Sequence, residues 1–391
     1  MLKKMEINLN SFELPIYCQT DEEYYSKLSV VLKEYLAYMK SAVRENSIIE
    51  ELETNIDLIL KSIVLYYNAN FQLAKENIMS ILQKHKDNEF IVSDLNNSYA
   101  FRGMAPFKNL RESWVSGNRY DYMQKCPLSF FKARESDCSL GFKDMLHIPL
   151  NLRGKVSTNR FSMAGIPCIY LATTSYCCWI ELNMPSNYNF YVSALEVPLD
   201  LKVLNLCISQ GVINGGAYCE NEEQLNLLRQ MIVIWPLVCA SSFTISERNR
   251  FFKSEYIVSQ LIMQCAKELK IDAIAYLSKK ISDYNSYPQC VNLAIPVGKD
   301  GSLNNLYWQH ALKTKITNPI LFSDYIKKKL LYNGKNQSYI NLVHQSDDDF
   351  GLENYNDIID ILEQDMHYSS SKFSKFDDYL VNQEYYSFQI D

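Results

Sequence analysis

The sequence predicts a protein of mixed helix and strand content, because its 391 residues fall into three compositional zones. Residues 20–90 repeat apolar side chains at helical spacing and contain neither glycine nor proline. Residues 97–325 alternate short apolar runs with turn residues, a pattern typical of strands joined by helices and loops. Residues 346–391 combine many acids with many aromatic side chains. A chain of this length is long for one domain and sufficient for two.

Three amphipathic helices are predicted in the first zone. Their apolar residues recur three and four positions apart, which places them on one face of each helix. These positions are Leu28, Val31, Leu32, Tyr35 and Met39 in the first helix, Ile56, Ile59, Leu60, Ile63 and Tyr67 in the second, and Ala74, Ile78, Ile81 and Leu82 in the third. The unit is either a cap that binds a partner or regulates the core, or an extension that covers one face of the core, and the sequence favours neither.

The second zone supplies the strands and two further helices. Residues 189–195, 202–206 and 291–296 are short apolar runs between turn residues, so we expect them to be strands. Residues 254–270 form the clearest predicted helix in this half. Another helix is predicted from residue 224, and we expect it to end before Pro236 because proline cannot continue the helical hydrogen bonding.

Composition argues against several classes of protein. The net charge of −6 gives no basic footprint for nucleic acid. There is no run of eighteen apolar residues that would span a membrane, and the first fifteen residues lack the apolar core of a signal peptide. We therefore expect a cytoplasmic protein that binds neither membrane nor nucleic acid directly, and a homo-oligomer is compatible with the sequence.

Cysteine usage agrees with a reducing compartment. The eleven cysteines form no CxxC pair and no Cys/His cluster with zinc spacing, so we expect no metal. Cys177 and Cys178 are adjacent, and we interpret them as small buried side chains. His147 is close in sequence but lies in an apolar segment typical of structure, so a Cys–His catalytic pair is not expected.

Three residues in one stretch suit the chemistry of a dinucleotide. Arg160, Tyr170 and Glu181 stand ten and eleven residues apart around a strand-like run and a helix start. A guanidinium can hold phosphate in a bidentate fork, and an aromatic ring can pack on a flat base. A carboxylate can take a ribose hydroxyl and stabilise positive charge at the anomeric carbon. No GxGxxG fingerprint is present, so hydride transfer is not expected.

The same stretch resembles the RES-domain family, which is named for an arginine, a glutamate and a serine. The first strand, with Lys132 where the family usually has arginine, is the weakest of the matching blocks, and the resemblance covers roughly residues 95–300. The residues that carry it are Asn159-Arg160-Phe161-Ser162, Gly165-Ile166-Pro167, Ile169-Tyr170-Leu171-Ala172, Thr173-Thr174-Ser175 and Glu181 in the middle, residues 252–260 and 271–278 further on, and Phe130-Phe131-Lys132-Ala133-Arg134 in the first strand.

The resemblance implies an α+β fold related to ADP-ribosyltransferases. It divides the chain into a helical extension (1–95), a RES-like catalytic core (96–325) and an acidic, aromatic-rich C-terminal segment (326–391). Family members degrade NAD+ by hydrolysis or phosphorolysis, and several are bacterial toxins held in check by a partner protein. The resemblance therefore implies NAD+ as substrate, an antitoxin or regulatory protein as partner, and no cofactor beyond NAD+.

The resemblance also assigns roles to individual residues. Glu181 would stabilise the ribosyl cation, Arg160 would grip the pyrophosphate or the nicotinamide ribose, and Tyr170 would stack on nicotinamide. Ser278 matches the family serine and would contact the ligand. Lys132 and Arg134 would bind substrate from the first strand.

Two other functions remain open from the sequence. A protein ADP-ribosyltransferase usually has a second acid two positions before the catalytic glutamate, where this chain has Trp179. A non-catalytic nucleotide-binding module of the same fold is the other alternative. The C-terminal segment has twelve carboxylates and two lysines from residue 346 onward. It is either a locally packed, solvated tail or an acidic inhibitor that docks on the phosphate subsite.

Overall fold

The computed structural model of the protein describes residues 7–102, 128–163, 165–216, 222–247, 250–283, 289–297, 313–332 and 371–387, and it shows an α+β fold. The helices are α1 (Glu23–Ala42), α2 (Asn46–Tyr67), α3 (Phe71–His85), α4 (Tyr99–Arg102), α5 (Ser175–Glu181), α6 (Gln210–Gly216), α7 (Glu222–Ala240), α8 (Ile257–Glu268), α9 (Phe322–Tyr332) and α10 (Lys372–Val381). The strands are β1 (Ile16–Cys18), β2 (Val92–Asp94), β3 (Phe130–Glu135), β4 (Cys168–Ala172), β5 (Phe190–Glu196), β6 (Lys202–Leu206), β7 (Phe243–Ile245), β8 (Ala273–Leu277), β9 (Val291–Pro296), β10 (Lys315–Thr317), β11 (Ile320–Leu321) and β12 (Tyr385–Ser387).

One large mixed sheet organises the described residues. Its strands follow the order β12-β10-β5-β3-β4-β9-β8-β6-β2, and β11 also pairs with β5. The β6–β8 pair is parallel and the other pairs in this sheet are antiparallel. Strands β1 and β7 form a separate parallel pair. The strands predicted at residues 189–195, 202–206 and 291–296 correspond to β5, β6 and β9.

The helices predicted near the N-terminus cover one face of this sheet. Helices α1, α2 and α3 share a single apolar core with α7, α8 and the sheet residues Leu204, Ile274 and Tyr276. Strand β2, which follows α3, pairs with β6 at the sheet edge. The helical region therefore packs as part of the same core, and the predicted boundary at residue 95 stays a prediction.

Helix α7 corrects one expectation, because it continues through Pro236 and ends at Ala240. A proline inside a helix cannot donate to the carbonyl four residues earlier, which here is that of Ile232. The buried hydroxyl of Tyr35 on α1 donates to this carbonyl at 3.0 Å. Asn55 on α2 donates to the next carbonyl, that of Val233, at 3.0 Å. Tyr35 thus supplies the hydrogen bond that the proline takes away, and Asn55 binds the adjacent carbonyl.

The described part of the C-terminal segment packs into the same fold. Strand β12 pairs with β10 as an edge strand of the sheet. Helix α10 packs against α5, where the Phe373 ring lies 5.5 Å from both Tyr176 and Trp179. Asp377 on α10 accepts a hydrogen bond from the backbone N–H of Ser175 at 2.9 Å. Residues 371–387 are thus packed locally, against α5 and the sheet edge, whereas residues 346–370 lie outside the described residues. The inhibitor role of the segment stays a prediction.

Candidate functional site

The sheet brings Tyr170 and two unpredicted residues to one face. Tyr170 of β4 pairs with Ala294 of β9, and Asn292 of β9 pairs with Tyr276 of β8. Because side chains alternate across a strand, Tyr170, Tyr276 and Asn292 point to the same side, the one covered by α5 and α8. The Tyr170 hydroxyl donates to Ser162 Oγ at 2.8 Å, and burial raises its pKa well above the usual value. Tyr170 is therefore a neutral, anchored ring.

Arg160 lies in a tight turn that directs its guanidinium into the protein. The backbone groups of Asn159 and Ser162 bond each other in both directions at 3.1 Å, which closes the turn around it. Its Nη1 donates to the Leu277 carbonyl and its Nη2 to Ser242 Oγ, both at 2.9 Å. The guanidinium also lies 4.8 Å from the centre of the Tyr276 ring. Burial lowers the pKa of Arg160, while nearby Tyr276 and Glu181 act in the opposite direction.

Glu181 is the last residue of α5, which begins where β4 ends. Thr174 caps this helix by accepting a hydrogen bond from the Cys177 backbone N–H at 2.9 Å. Glu181 is half-buried, and Asn292 donates to its Oε1 at 2.7 Å. Asn292 also accepts from Cys177 Sγ at 3.5 Å. The carboxylate is thus held against the sheet face that carries Tyr276.

The chain after Glu181 adopts an uncommon backbone conformation. Asn183 and Met184 have φ values of 61° and 59°, in the left-handed region. Such residues cost about 1–3 kcal/mol each and are found where the surrounding structure holds them. Here the Met184 N–H donates to the Trp179 carbonyl at 2.9 Å, and Lys280 Nζ donates to Asn183 Oδ1 at 2.7 Å. These contacts fix the point at which α5 stops and therefore the position of Glu181.

Ser278 follows the strand residue that binds Arg160. It is buried, its backbone N–H donates to the Cys290 carbonyl at 2.9 Å, and its Oγ accepts from the Lys280 N–H at 3.2 Å. Ser278 therefore shapes the turn after β8, next to the Leu277 carbonyl that holds Arg160.

Lys132 and Arg134 do not join this group. Phe131 of β3 pairs with Ala172 of β4, so Phe131 lies on the face of Tyr170 and its neighbours in β3 lie on the other. On that opposite face, Arg134 Nη2 donates to the Leu146 carbonyl at 2.7 Å. Burial, followed by the charge of Arg134, lowers the pKa of Lys132 to about 8. The structure thus brings Arg160, Tyr170, Glu181 and Ser278 together, but not these two cations.

Two lysines around Tyr256 were not predicted from the sequence. Lys279 Nζ donates to the Phe243 carbonyl at 2.7 Å and lies 4.7 Å from the centre of the Tyr256 ring. Lys253 Nζ lies 5.0 Å from the same ring centre. Burial and the charge of Arg160 lower the pKa of Lys279 to about 7. Lys253 stands in the matching block 252–260 and Lys279 directly follows the block 271–278, which is the signal that could have pointed to them.

A buried ion-pair network fixes the segment that carries Lys253. Arg250 donates to both oxygens of Glu255, at 3.0 and 2.8 Å. Arg250 and Ser254 also bond Asp21, just before α1. Glu255 is thereby neutralised by Arg250 rather than by either lysine.

The adjacent cysteines are buried, as the sequence indicated. Cys177 and Cys178 are enclosed by α5 and the sheet, and burial raises the pKa of both thiols well above the usual value. Neither is therefore a thiolate nucleophile at neutral pH. His147 lies at the opposite face, where its Nδ1 is 2.8 Å from the Ile148 carbonyl. Among the described residues, no helix is long and apolar enough to cross a membrane, and no group of three potential ligands could hold a metal ion.

Comparison with known proteins gives one clear relative. No family model matches the chain. A protein of Bacillus subtilis (strain 168) named "Putative toxin YopC" is 33% identical over 184 residues, which are 44% of this chain and 42% of that protein. The match therefore spans less than half the length of the relative. A chain of the Mycobacterium tuberculosis MbcT–MbcA toxin–antitoxin complex aligns over 51% of this chain and 87% of its own length. The TM-score is 0.26 and the identity is 10%, so this likeness supports no conclusion about fold or function.

Proposed function

We propose that the protein is an NAD+-degrading toxin that cleaves the nicotinamide N-glycosidic bond, with water or phosphate as acceptor. The observation that carries the proposal is the hydrogen bond of 2.7 Å by which Asn292 holds Glu181 Oε1 against the face of Tyr170 and Tyr276. Because this hydrogen bond engages Oε1, we assign Oε2 as the oxygen that stabilises the ribosyl centre. The resemblance of these segments to the RES-domain family supports the same reaction.

The groups suit this reaction without a general acid for the leaving group. The bond between the ribose carbon and the pyridinium nitrogen breaks, its electron pair goes to nitrogen, and nicotinamide leaves neutral. The acceptor oxygen then bonds to the ribose carbon and loses its proton to water. The barrier lies in the cationic ribosyl centre, which a nearby carboxylate stabilises. Glu181 is the residue that we assign to this role, with Asn292 positioning it.

Arg160 has a different role in this proposal from the one expected. Its side chain is buried and each of its terminal nitrogens bonds a protein oxygen, so we assign it a structural role rather than that of a phosphate fork. We propose that it fixes Tyr276 and the end of β8, and that Tyr170 and Tyr276 supply the flat surface for nicotinamide.

Transfer of ADP-ribose to a protein ranks second. Trp179, at the position of the second acid in such transferases, is buried, and its Nε1 donates to the Pro185 carbonyl at 3.0 Å. No acid is therefore available at that place to activate an acceptor side chain. The toxin part of the proposal draws on the name of the Bacillus subtilis relative. From the family resemblance we also propose that the protein is cytoplasmic and has an antitoxin partner.

The test is to incubate the full chain with NAD+, with and without phosphate, and to resolve the products chromatographically. We expect free nicotinamide together with ADP-ribose, or with its phosphorylated form when phosphate is present. Glu181→Gln keeps the shape and removes the charge, so it should lose nearly all turnover. Glu196→Gln, a carboxylate on β5 that pairs with Lys315 at 3.8 Å, is the matched control. Intact NAD+ in the wild-type reaction, or full activity in Glu181→Gln, would overturn the proposal.

A further inference from the structure

Three cations lie around Tyr256, close to Glu181, without enough carboxylate to balance them. They are Arg160, Lys253 and Lys279, and the charges of both Arg160 and Lys253 act on Lys279. Glu255 is occupied by its two bonds to Arg250. Glu181 is therefore the one nearby carboxylate, among the described residues, that is not already paired with an arginine. The three cations thus leave a surplus of positive charge, which favours binding of an anion.

The two lysines keep hydrogen-bond donors available. An ammonium group has three donors, and Lys279 uses one of them on the Phe243 carbonyl. Within the described part of the chain, Lys253 contacts the Tyr256 ring and forms no ion pair, and Lys279 forms none either. Contact with the face of a ring places an ammonium group but satisfies none of its N–H donors. Both side chains are half-buried, so an anion that reached them would be partly shielded from water.

The segment that carries these lysines is held in place before any ligand binds. Lys253 directly precedes Ser254 and Glu255, which are buried and tied to Asp21 and Arg250. Lys279 directly follows Ser278, whose Oγ accepts a hydrogen bond from the Lys280 N–H at 3.2 Å. Pre-organised donors bind an anion without the cost of ordering mobile side chains.

We propose that Lys253 and Lys279, around the ring of Tyr256, form a phosphate-binding subsite beside Glu181. Its ligand is either the diphosphate of the dinucleotide or an inorganic phosphate that acts as acceptor. Naming the dinucleotide rests on the proposed function, whereas binding of a phosphate anion does not. The subsite takes the role that the sequence had suggested for Arg160, Lys132 and Arg134.

The test is calorimetric titration of the full chain at pH 6.5 and low salt with ADP-ribose, inorganic phosphate and nicotinamide riboside, which has no phosphate. We expect Lys253→Met and Lys279→Met each to weaken ADP-ribose binding about tenfold or more, because each removes a charged hydrogen bond. Lys267→Met, an equal change of charge at an exposed position on α8, should bind like wild type. The affinity for nicotinamide riboside should not change in any of the three variants.

The titrations also distinguish the two sources of phosphate. Inorganic phosphate that competes with ADP-ribose and weakens in both lysine variants indicates that one anion site serves both ligands. ADP-ribose binding that depends on the lysines while inorganic phosphate does not compete assigns the subsite to the diphosphate. Either result supports the inference. Lysine-dependent binding without NAD+ cleavage would reject the proposed function alone, and folded lysine variants that bind ADP-ribose like wild type would overturn the inference.

Protonation provides a second readout. Lys279 faces Arg160, Lys253, Tyr256, Glu181 and Glu255, and its pKa is lowered to about 7. An anion favours the charged amine and raises this pKa, so binding should take up a proton near pH 7 and weaken as the pH rises to 9. Titrations in two buffers of different ionisation enthalpy measure this uptake, which Lys279→Met should abolish. Equal uptake in wild type and Lys279→Met would contradict the assignment.

Discussion

Asp283 should make the stability of the protein depend on pH in a defined direction. Its carboxylate is 2% exposed and accepts hydrogen bonds from the N–H groups of Leu14 and Gln210 and from the Gln210 amide, at 3.2, 2.7 and 3.1 Å. Burial outweighs these bonds and raises the pKa of Asp283 from 3.8 to about 6. The folded protein therefore holds this proton more tightly than the unfolded chain does.

The consequence is a loss of stability as the pH rises. Well below pH 3.8 the carboxyl is protonated in both the folded and the unfolded state, and it does not lower the stability. Between pH 3.8 and about 6 the unfolded chain ionises first, and above this range the folded state bears the full cost. A shift of this size corresponds to about 3 kcal/mol of unfolding free energy.

Urea unfolding of wild type and Asp283→Asn at pH 4 and pH 7.5 measures how much unfolding free energy is lost when Asp283 ionises. The amide cannot ionise, so the free-energy difference between the two proteins should shift by about 2.5 kcal/mol in favour of the variant between pH 4 and pH 7.5. Other titrating groups are common to both proteins and cancel. Asp57→Asn, an exposed carboxylate on α2, controls for the chemical change. A difference that moves by less than about 1 kcal/mol between the two pH values would refute this reasoning.

Three further predictions concern the site and the kinked helix. Asn292→Leu should lower kcat for NAD+ with little change in KM in steady-state assays, because it frees Glu181 while leaving the tyrosine surface in place; a rise in KM alone would argue against positioning. Tyr35→Phe should cost about 1–3 kcal/mol in urea unfolding, because the Ile232 carbonyl loses its donor, whereas Tyr25→Phe on the same helix should cost less. Expression in a bacterial host should deplete cellular NAD+ and stop growth, and Glu181→Gln should relieve both; normal growth with soluble, active enzyme would contradict the toxin assignment.

Periodicity was sufficient where one face of an element is buried and the other is not. Helices α1 to α3 followed from it, because their apolar residues face a core and their other residues face away. Strands β5, β6 and β9 are buried on both faces, so they followed from short apolar runs between turn residues and not from periodicity. The end of α7 did not follow. Pro236 normally ends a helix, but Tyr35 lies 197 residues away from the carbonyl that it satisfies. No local pattern carries that information.

The candidate site likewise combines features that local sequence predicts with features that depend on distant contacts. Arg160, Tyr170 and Glu181 lie within one strand–helix passage, so sequence spacing could group them. Asn292 lies 111 residues from Glu181, and its contact depends on how β9 pairs with β4 and β8. Lys132 was grouped with the site because its segment resembles the first strand of the RES-domain family. Its face is set by the pairing of Phe131 with Ala172, and a shift of one residue would have placed it on the side of Tyr170.

Deleting residues 346–391 should unfold the protein rather than activate it. The deletion removes β12 from the sheet edge and α10 from the aromatic cluster in which Phe373 stacks on Phe322 at 5.2 Å. Phe373, Phe376 and Leu380 are buried, and each contributes about 1.5–3 kcal/mol by burial, so their joint loss is comparable with the whole stability of a domain. Phe376→Ala in the full chain should by itself cost about 3–5 kcal/mol in urea unfolding. A truncated protein that keeps the wild-type unfolding midpoint and turns over NAD+ faster would show that this helix inhibits the site instead of supporting α5.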